Sequence, residues 1–91
     1  MSLVDIRWHE GIAEIRLARP PVNALDPALC ASLRDAIVHV RQADARGISL
    51  SGGPSVFSAG LDVPYLMSLG TDRAALTHAW EAFFGAARAL V

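Results

Sequence analysis

Apolar residues recur at every second position from Val4 to Trp8 and again from Ala13 to Leu17, then at every third or fourth from Leu29 to Val40. No other feature constrains the fold as tightly as this change of period. Side chains alternate faces along a strand and return about every 3.6 residues around a helix. The first stretch therefore buries one face only as strands, and the second only as a helix. Val4, Ile6 and Trp8 alternate with Asp5 and Arg7, and Ala13, Ile15 and Leu17 alternate with Glu14 and Arg16. His9-Glu10-Gly11 lies between the two runs. It predicts the turn of a β-hairpin over residues 3–17, with Gly11 able to take positive φ. Met1-Ser2-Leu3 carries no weight in this reading.

Pro20 and Pro21 remove two backbone donors, so residues 18–25 are read as a loop. Asp26-Pro27 is a helix start: Asp26 can cap free N–H groups, and proline suits the first helical position. Leu29, Leu33, Ala36, Ile37 and Val40 form one face, while Arg34, Asp35, His39 and Arg41 lie mostly opposite. The helix is expected to end near Ala45, with Gly47 beyond it. Ile48 to Ser51 reads as a short strand and Gly52 to Ser55 as a tight turn. Val56-Phe57 is expected to be extended. A short helix should run from Val63-Pro64 to about Leu69, stopped by Gly70. Thr71 is read as the cap of a last helix, with Asp72 favourably placed at its positive end. Leu76, Trp80, Phe83, Phe84, Ala87 and Leu90 would be its apolar face. The element order predicts an α/β fold. That last face is still running at Val91 with no capping residue, so residues 1–91 are expected to be the N-terminal portion of a single larger domain.

Composition points the same way. Hydrophobic residues make up 53% of the chain, against about 45–50% in ordinary domains. A domain this small buries only about 60–65% of its unfolded surface. Some apolar surface should therefore meet further chain or a partner subunit. The charge is nearly balanced, with 8 basic and 9 acidic residues. No basic stripe suits a phosphate backbone, so nucleic acid is not an expected partner. No apolar run approaches the roughly 20 residues of a membrane span, and the polar-apolar alternation at the N-terminus is unlike a signal peptide. The single cysteine, Cys30, cannot form an internal disulfide, in keeping with a reducing, cytoplasmic setting. His9, His39 and His78 lack metal-ligand spacing, so no metal is expected.

The run most suited to chemistry is Gly52 to Asp62, GGPSVFSAGLD. A strand ends, small residues follow and a helix begins. Backbone N–H groups in such a place can face outward near a helix's positive end and hold an oxygen that gains negative charge. Gly60 would let a ligand approach the backbone. An ordinary strand-to-helix loop has the same composition, and the residues alone leave both readings open. Several other residues have structural readings. Asp62 is expected to cap the following helix rather than act as a base. Glu10, Glu14 and Glu81 are read as solvated. Cys30 sits near a helix start, where a thiol pKa can fall, but is read as a packed thiol. Ser55 and Ser58 do not sit in a G-x-S-x-G elbow, and Gly52-Gly53 lacks the lysine of a phosphate-binding loop. Tyr65 and Met67 are read as core or interface before acyl pocket, and Trp80 with Phe83 and Phe84 as a packing face.

The ordered set of segments adds to this. Arg19-Pro20, then Asn23-Ala24-Leu25, an amphipathic helix, a strand ending at Gly52 and Phe57-Ser58-Ala59-Gly60-Leu61-Asp62 follow one another along the chain. This order and spacing, over roughly residues 4–69, resembles the N-terminal third of the crotonase superfamily of enoyl-CoA hydratases and isomerases. The resemblance implies a crotonase-like spiral of ββα turns assembled as a homotrimer or a dimer of trimers. It implies an enzyme that stabilises a thioester enolate, with a role in fatty acid metabolism. The expected chemistry is that of an enoyl-CoA isomerase or of a hydratase, a lyase. The substrate would be an acyl-CoA, with CoA arriving as part of it and no separate cofactor. By the same resemblance the backbone N–H of Leu61 is one of two donors to the thioester oxygen. Ser58, Ala59 and Gly60, and the loop with Pro21, Asn23 and Ala24, would flank CoA. The family's second donor and its carboxylates belong to later segments. Two alternatives stand beside this reading. One is a non-catalytic interaction module using the Trp80–Phe84 face. The other is a related thioester hydrolase, decarboxylase or dehalogenase.

Overall fold

The computed structural model describes residues 3–91; Met1 and Ser2 lie outside the described residues. Two strands, β1 (Val4–His9) and β2 (Ile12–Leu17), form the expected hairpin, with Val4 opposite Leu17 and His9 opposite Ile12. The turn is two residues long, Glu10 and Gly11, both at positive φ (52° and 87°). Mirror-image turns of this kind match the twist of the flanking strands. A third strand, β3 (Gly47–Ser51), pairs parallel to β2, which is therefore central in the order β1-β2-β3. Among the described residues the mixed α/β class is as the residue pattern predicts.

Helix α1 (Pro27–Gln42) makes the crossover between β2 and β3. The Asp26 carboxylate caps it, accepting from Leu29 N–H at 2.8 Å. The helix stops three residues before the expected Ala45. Asp44 takes φ 60°. Its N–H donates to the Arg41 carbonyl and that of Ala45 to the Val40 carbonyl, both at 3.1 Å. This is a Schellman end, in which one left-handed residue satisfies the last carbonyls. Asp44, not Gly47, does this, because a short polar side chain tolerates that conformation.

Helices α2 (Val63–Ser68) and α3 (Arg73–Ala89) complete the chain. The cap of α3 is Asp72, whose carboxylate accepts from Ala75 N–H at 3.0 Å, and not Thr71. α1 packs on β1 and β2 with one side and on α3 with another, so it lies between the sheet and α3. One core results. Ala13, Ile15, Leu29, Ile37, Val40 and Ala79 are fully buried in it.

Two apolar faces differ from the reading by period. In α3 the buried residues are Ala79, Phe83 and Ala86. Trp80 and Phe84 are 42% and 58% exposed. Trp80 packs edge-on to Phe83 and stacks on Phe84, with centroids 5.5 and 5.9 Å apart. Alanines let α3 approach α1 closely, and the larger rings are displaced to the flank of the contact. Trp8, opposite buried Ala13 on the outer strand, likewise leaves 45% of its surface exposed. Among the described residues no helix is long and apolar enough to cross a membrane.

The close α1–α3 contact generates a prediction. Ala79→Leu should cost about 1–3 kcal/mol by overpacking, read as a lower urea midpoint at unchanged slope. Trp80→Ala, on the flank, should cost less in the same measurement.

Candidate active site

The segment after β3 turns back on the loop that precedes α1. Gly52 makes the turn possible by close approach: a Cβ there would collide with the Phe57 carbonyl oxygen and lie 2.7 Å from Phe57 Cα. Val56-Phe57, expected to be extended, pairs with no strand. Gly53 N–H donates to the Val56 carbonyl at 2.9 Å, closing a tight loop, and Phe57 is half exposed.

Asn23 ties the two loops together. It is 5% exposed and sits at φ 53°. Its Oδ1 accepts from Arg19 N–H at 2.7 Å, and its Nδ2 donates to the Phe57 carbonyl at 3.0 Å. Its own carbonyl accepts from Ser58 Oγ at 2.7 Å, and Ser58 Oγ in turn accepts from Gly60 N–H at 3.0 Å. A buried amide must find partners for both ends, and here both partners are loop backbone. Gly60 then takes φ 83°, with nothing near its missing Cβ, so conformation rather than space calls for glycine there.

Beyond Gly60 the two loops run parallel. Leu25 N–H donates to the Gly60 carbonyl at 2.7 Å and Asp62 N–H to the Leu25 carbonyl at 2.9 Å, an isolated parallel bridge between Leu25 and Leu61. Ala59 N–H donates to the Val22 carbonyl at 2.9 Å. The N–H groups of Ala59, Gly60 and Asp62 are thus all engaged. That of Leu61, between them, has no acceptor among the described residues. A parallel bridge uses groups on one edge of the strand, so the intervening N–H points to the other. Leu61 is 37% exposed.

Arg19 braces this bridge. Its Nη1 donates to the Ala24 carbonyl at 2.8 Å. Its Nη2 lies 3.1 Å from Asp62 Oδ2 and 3.3 Å from Asp26 Oδ2. Asp62 also caps α2 as expected, accepting from Tyr65 N–H at 3.0 Å. The residues singled out in the sequence therefore meet in one place. Ser58, Gly60, Leu61, Asn23 and Ala24 share one hydrogen-bonded unit, and Pro21 and Ala59 lie exposed at its edge. The Pro20–Pro21 peptide is cis. The Asn23 side chain and the Ala59 N–H are spent on internal partners.

Other residues find different surroundings. Met67 is 75% exposed, and Tyr65 packs against the core. An apolar cavity of about 200 Å³ opens between Leu17, Leu50, Phe57 and Phe83, and neither Tyr65 nor Met67 lines it. Glu14 is not simply solvated. It accepts from Ser51 Oγ at 2.7 Å and meets His9 Nε2 at 2.9 Å. Ser51 first, then His9, hold its carboxyl below the usual value. Cys30 is buried within α1's packed face. Burial, with Asp26 adding to it, pushes the thiol up to about 11, opposite to the fall that a helix start can cause. Among the described residues no cluster of three His, Cys, Asp or Glu could hold a metal ion.

Sequence reasoning missed Arg19 as more than half of a motif. Its partners are five to 43 residues away, and no local pattern announces them.

Gly52→Ala should cost at least about 1–3 kcal/mol and detach Phe57 from Asn23, read as a lower unfolding midpoint. Cys30, neutral at ordinary pH, should resist iodoacetamide in the native protein near pH 7 and react on unfolding; rapid native alkylation would contradict the buried thiol.

Comparison with known proteins agrees with this arrangement. The family model for enoyl-CoA hydratase/isomerase matches residues 7–90. The peroxisomal bifunctional enzyme of Cavia porcellus is 34% identical over 59 residues, which span 64% of this chain and 8% of that protein. Among solved structures, Pseudomonas aeruginosa DspI superposes with a TM-score of 0.83 at 30% identity, over 98% of this chain and 36% of its own. Human mitochondrial delta3-delta2-enoyl-CoA isomerase gives 0.83 at 27% identity, over 92% of this chain and 33% of its own. Enoyl-CoA hydratase from Thermoplasma volcanium gives 0.73 at 32% identity, over 81% and 30%. The chain thus spans about a third of the length of these solved relatives. With a family match over nearly all its residues and the fold of its solved relatives, the chain belongs to the enoyl-CoA hydratase/isomerase family, as the N-terminal part of the crotonase fold.

Proposed function

We propose that this chain contributes the acyl-CoA-binding loop and one oxyanion donor of an enoyl-CoA hydratase or isomerase. The observation that carries this reading is the Leu61 N–H, which has no acceptor among the described residues while its neighbours on both sides are engaged. When the carbon next to a thioester takes on enolate character, negative charge gathers on the carbonyl oxygen. A fixed N–H aimed at that oxygen needs no reorganisation as the charge grows. Leu61 N–H is held by the strand bridge and by α2's cap at Asp62, the next residue. α2 has only six residues, so the bridge rather than a helix dipole does most of the positioning. Exposed Pro21 and Ala59, with Asn23, Ala24, Ser58 and Gly60 behind them, form the rim on which CoA would lie. CoA enters as part of the substrate, and the chemistry here calls on no metal. The complete active unit is proposed to be a homotrimer or a dimer of trimers.

The test is turnover of a 2-enoyl-CoA, followed by loss of its conjugated absorbance. Leu61→Pro removes the donor and should lower kcat by about 10²–10³. Leu61→Met keeps the backbone group and should retain most of the activity. A proline variant that matches the parent would remove Leu61 from the mechanism. If no acyl-CoA binds, the exposed Trp80–Phe84 surface and a non-catalytic role become the better reading.

A further inference from the structure

We infer that Arg19 is a positioning residue for the Leu61 donor, acting through the backbone bridge rather than on substrate. This rests on the reading of Leu61 given above. The guanidinium touches both arms of the bridge. On one arm it donates to the Ala24 carbonyl, immediately before Leu25. On the other it pairs with Asp62, immediately after Leu61. An ion pair at 3.3 Å reaches Asp26, the cap of α1. One planar cation thus fixes the two backbone segments whose separation sets the direction of the Leu61 N–H, and ties both to the packed helix.

Arginine suits this position for a specific reason. Its donors lie in one plane in a rigid fork, so Nη1 and Nη2 can serve a carbonyl and two carboxylates together. A lysine carries the charge on a single atom and cannot span both arms. The two carboxylates supply the second reason. Asp26 and Asp62 both approach the same nitrogen, and both are mostly buried. Without the cation between them they would repel and draw the arms apart. The bridge would then lengthen where donor direction matters most, and sub-ångström to ångström displacements of a catalytic group are costly in rate.

The experiment compares Arg19→Ala, Arg19→Lys and Asp62→Asn in the full protein. Turnover of a 2-enoyl-CoA and the amide 15N–1H shift of Leu61 are both followed. Arg19→Ala should lower kcat by about 10–100-fold with a much smaller change in KM, since the exposed rim is retained. Added guanidinium should restore part of the loss. Arg19→Lys should remain impaired despite its charge. Asp62→Asn keeps the cap on α2 and loses the ion pair, so its fall in kcat should be smaller and in the same direction. All three variants should move the Leu61 amide shift. The inference is overturned if Arg19→Ala leaves kcat and the Leu61 shift unchanged. It is also overturned if Arg19→Lys behaves as the parent and guanidinium does nothing. Absence of turnover in the parent itself would count against the function proposed above. The Leu61 shift in the three variants would still decide the role of Arg19. If Arg19→Ala does not fold, Arg19→Lys and Asp62→Asn carry the same decision.

Discussion

The buried face of α1 is the constraint on which the rest of the structure depends. Leu29, Ile37 and Val40 have no exposed surface, and neither do Ala13 and Ile15 of β2 in the same cluster. Burying a leucine, isoleucine or valine side chain contributes roughly 1.5–3 kcal/mol, the largest favourable term available to so small a chain. Because α1 joins β2 to β3, its docking also sets the parallel pairing of those strands. That pairing delivers the end of β3 beside the start of α1. The two loops of the candidate site are thereby brought together, and Asn23 then ties them.

Within that frame the site is built almost entirely from backbone. The side chains of Asn23, Ser58 and Arg19 turn to backbone and carboxylate partners within the two loops. They consume carbonyls and N–H groups of both loops around the Leu61 N–H, which itself has no acceptor among the described residues. Buried polar groups that lack partners are costly. Among the described residues no buried side-chain polar atom is without a hydrogen bond. A donor supplied in this way is insensitive to its own side chain and sensitive to whatever sets the backbone around it.

Much of this was legible in the chain. Asp26 before Pro27 and Asp62 before Val63-Pro64 announce helix caps, because a carboxylate accepting from free N–H groups is a local affair of three residues. The turn at Glu10-Gly11 and the β2 face follow from period and conformational freedom. The family-like segments imply one shared site for Leu61, Ala59 and Asn23. Other features were not legible. Asp44 rather than Gly47 ends α1, since several residue types tolerate one left-handed position and only the completed hydrogen bonds reveal which adopts it. Trp80 and Phe84 carry helical spacing, yet α3 turns its alanines inward. Period cannot distinguish two adjacent apolar arcs of one helix when the partner's shape makes the choice.

Glu14, Cys30 and Arg19 show the same division. Each has an ordinary local context, and each acquires its character from residues far along the chain: Ser51, the α1–α3 core, and Asp62. By itself the sequence determined the element types, the N-terminal caps of α1 and α2, the α/β class and the family, because these rest on interactions within a few residues or on ordered motifs. Only the tertiary structure decided which face of α3 is buried, what surrounds Arg19 and Glu14, and that the Leu61 N–H is left without an acceptor between engaged neighbours. Those outcomes depend on hydrogen bonds and contacts between distant segments, and no local pattern encodes a partner that folding has yet to bring near.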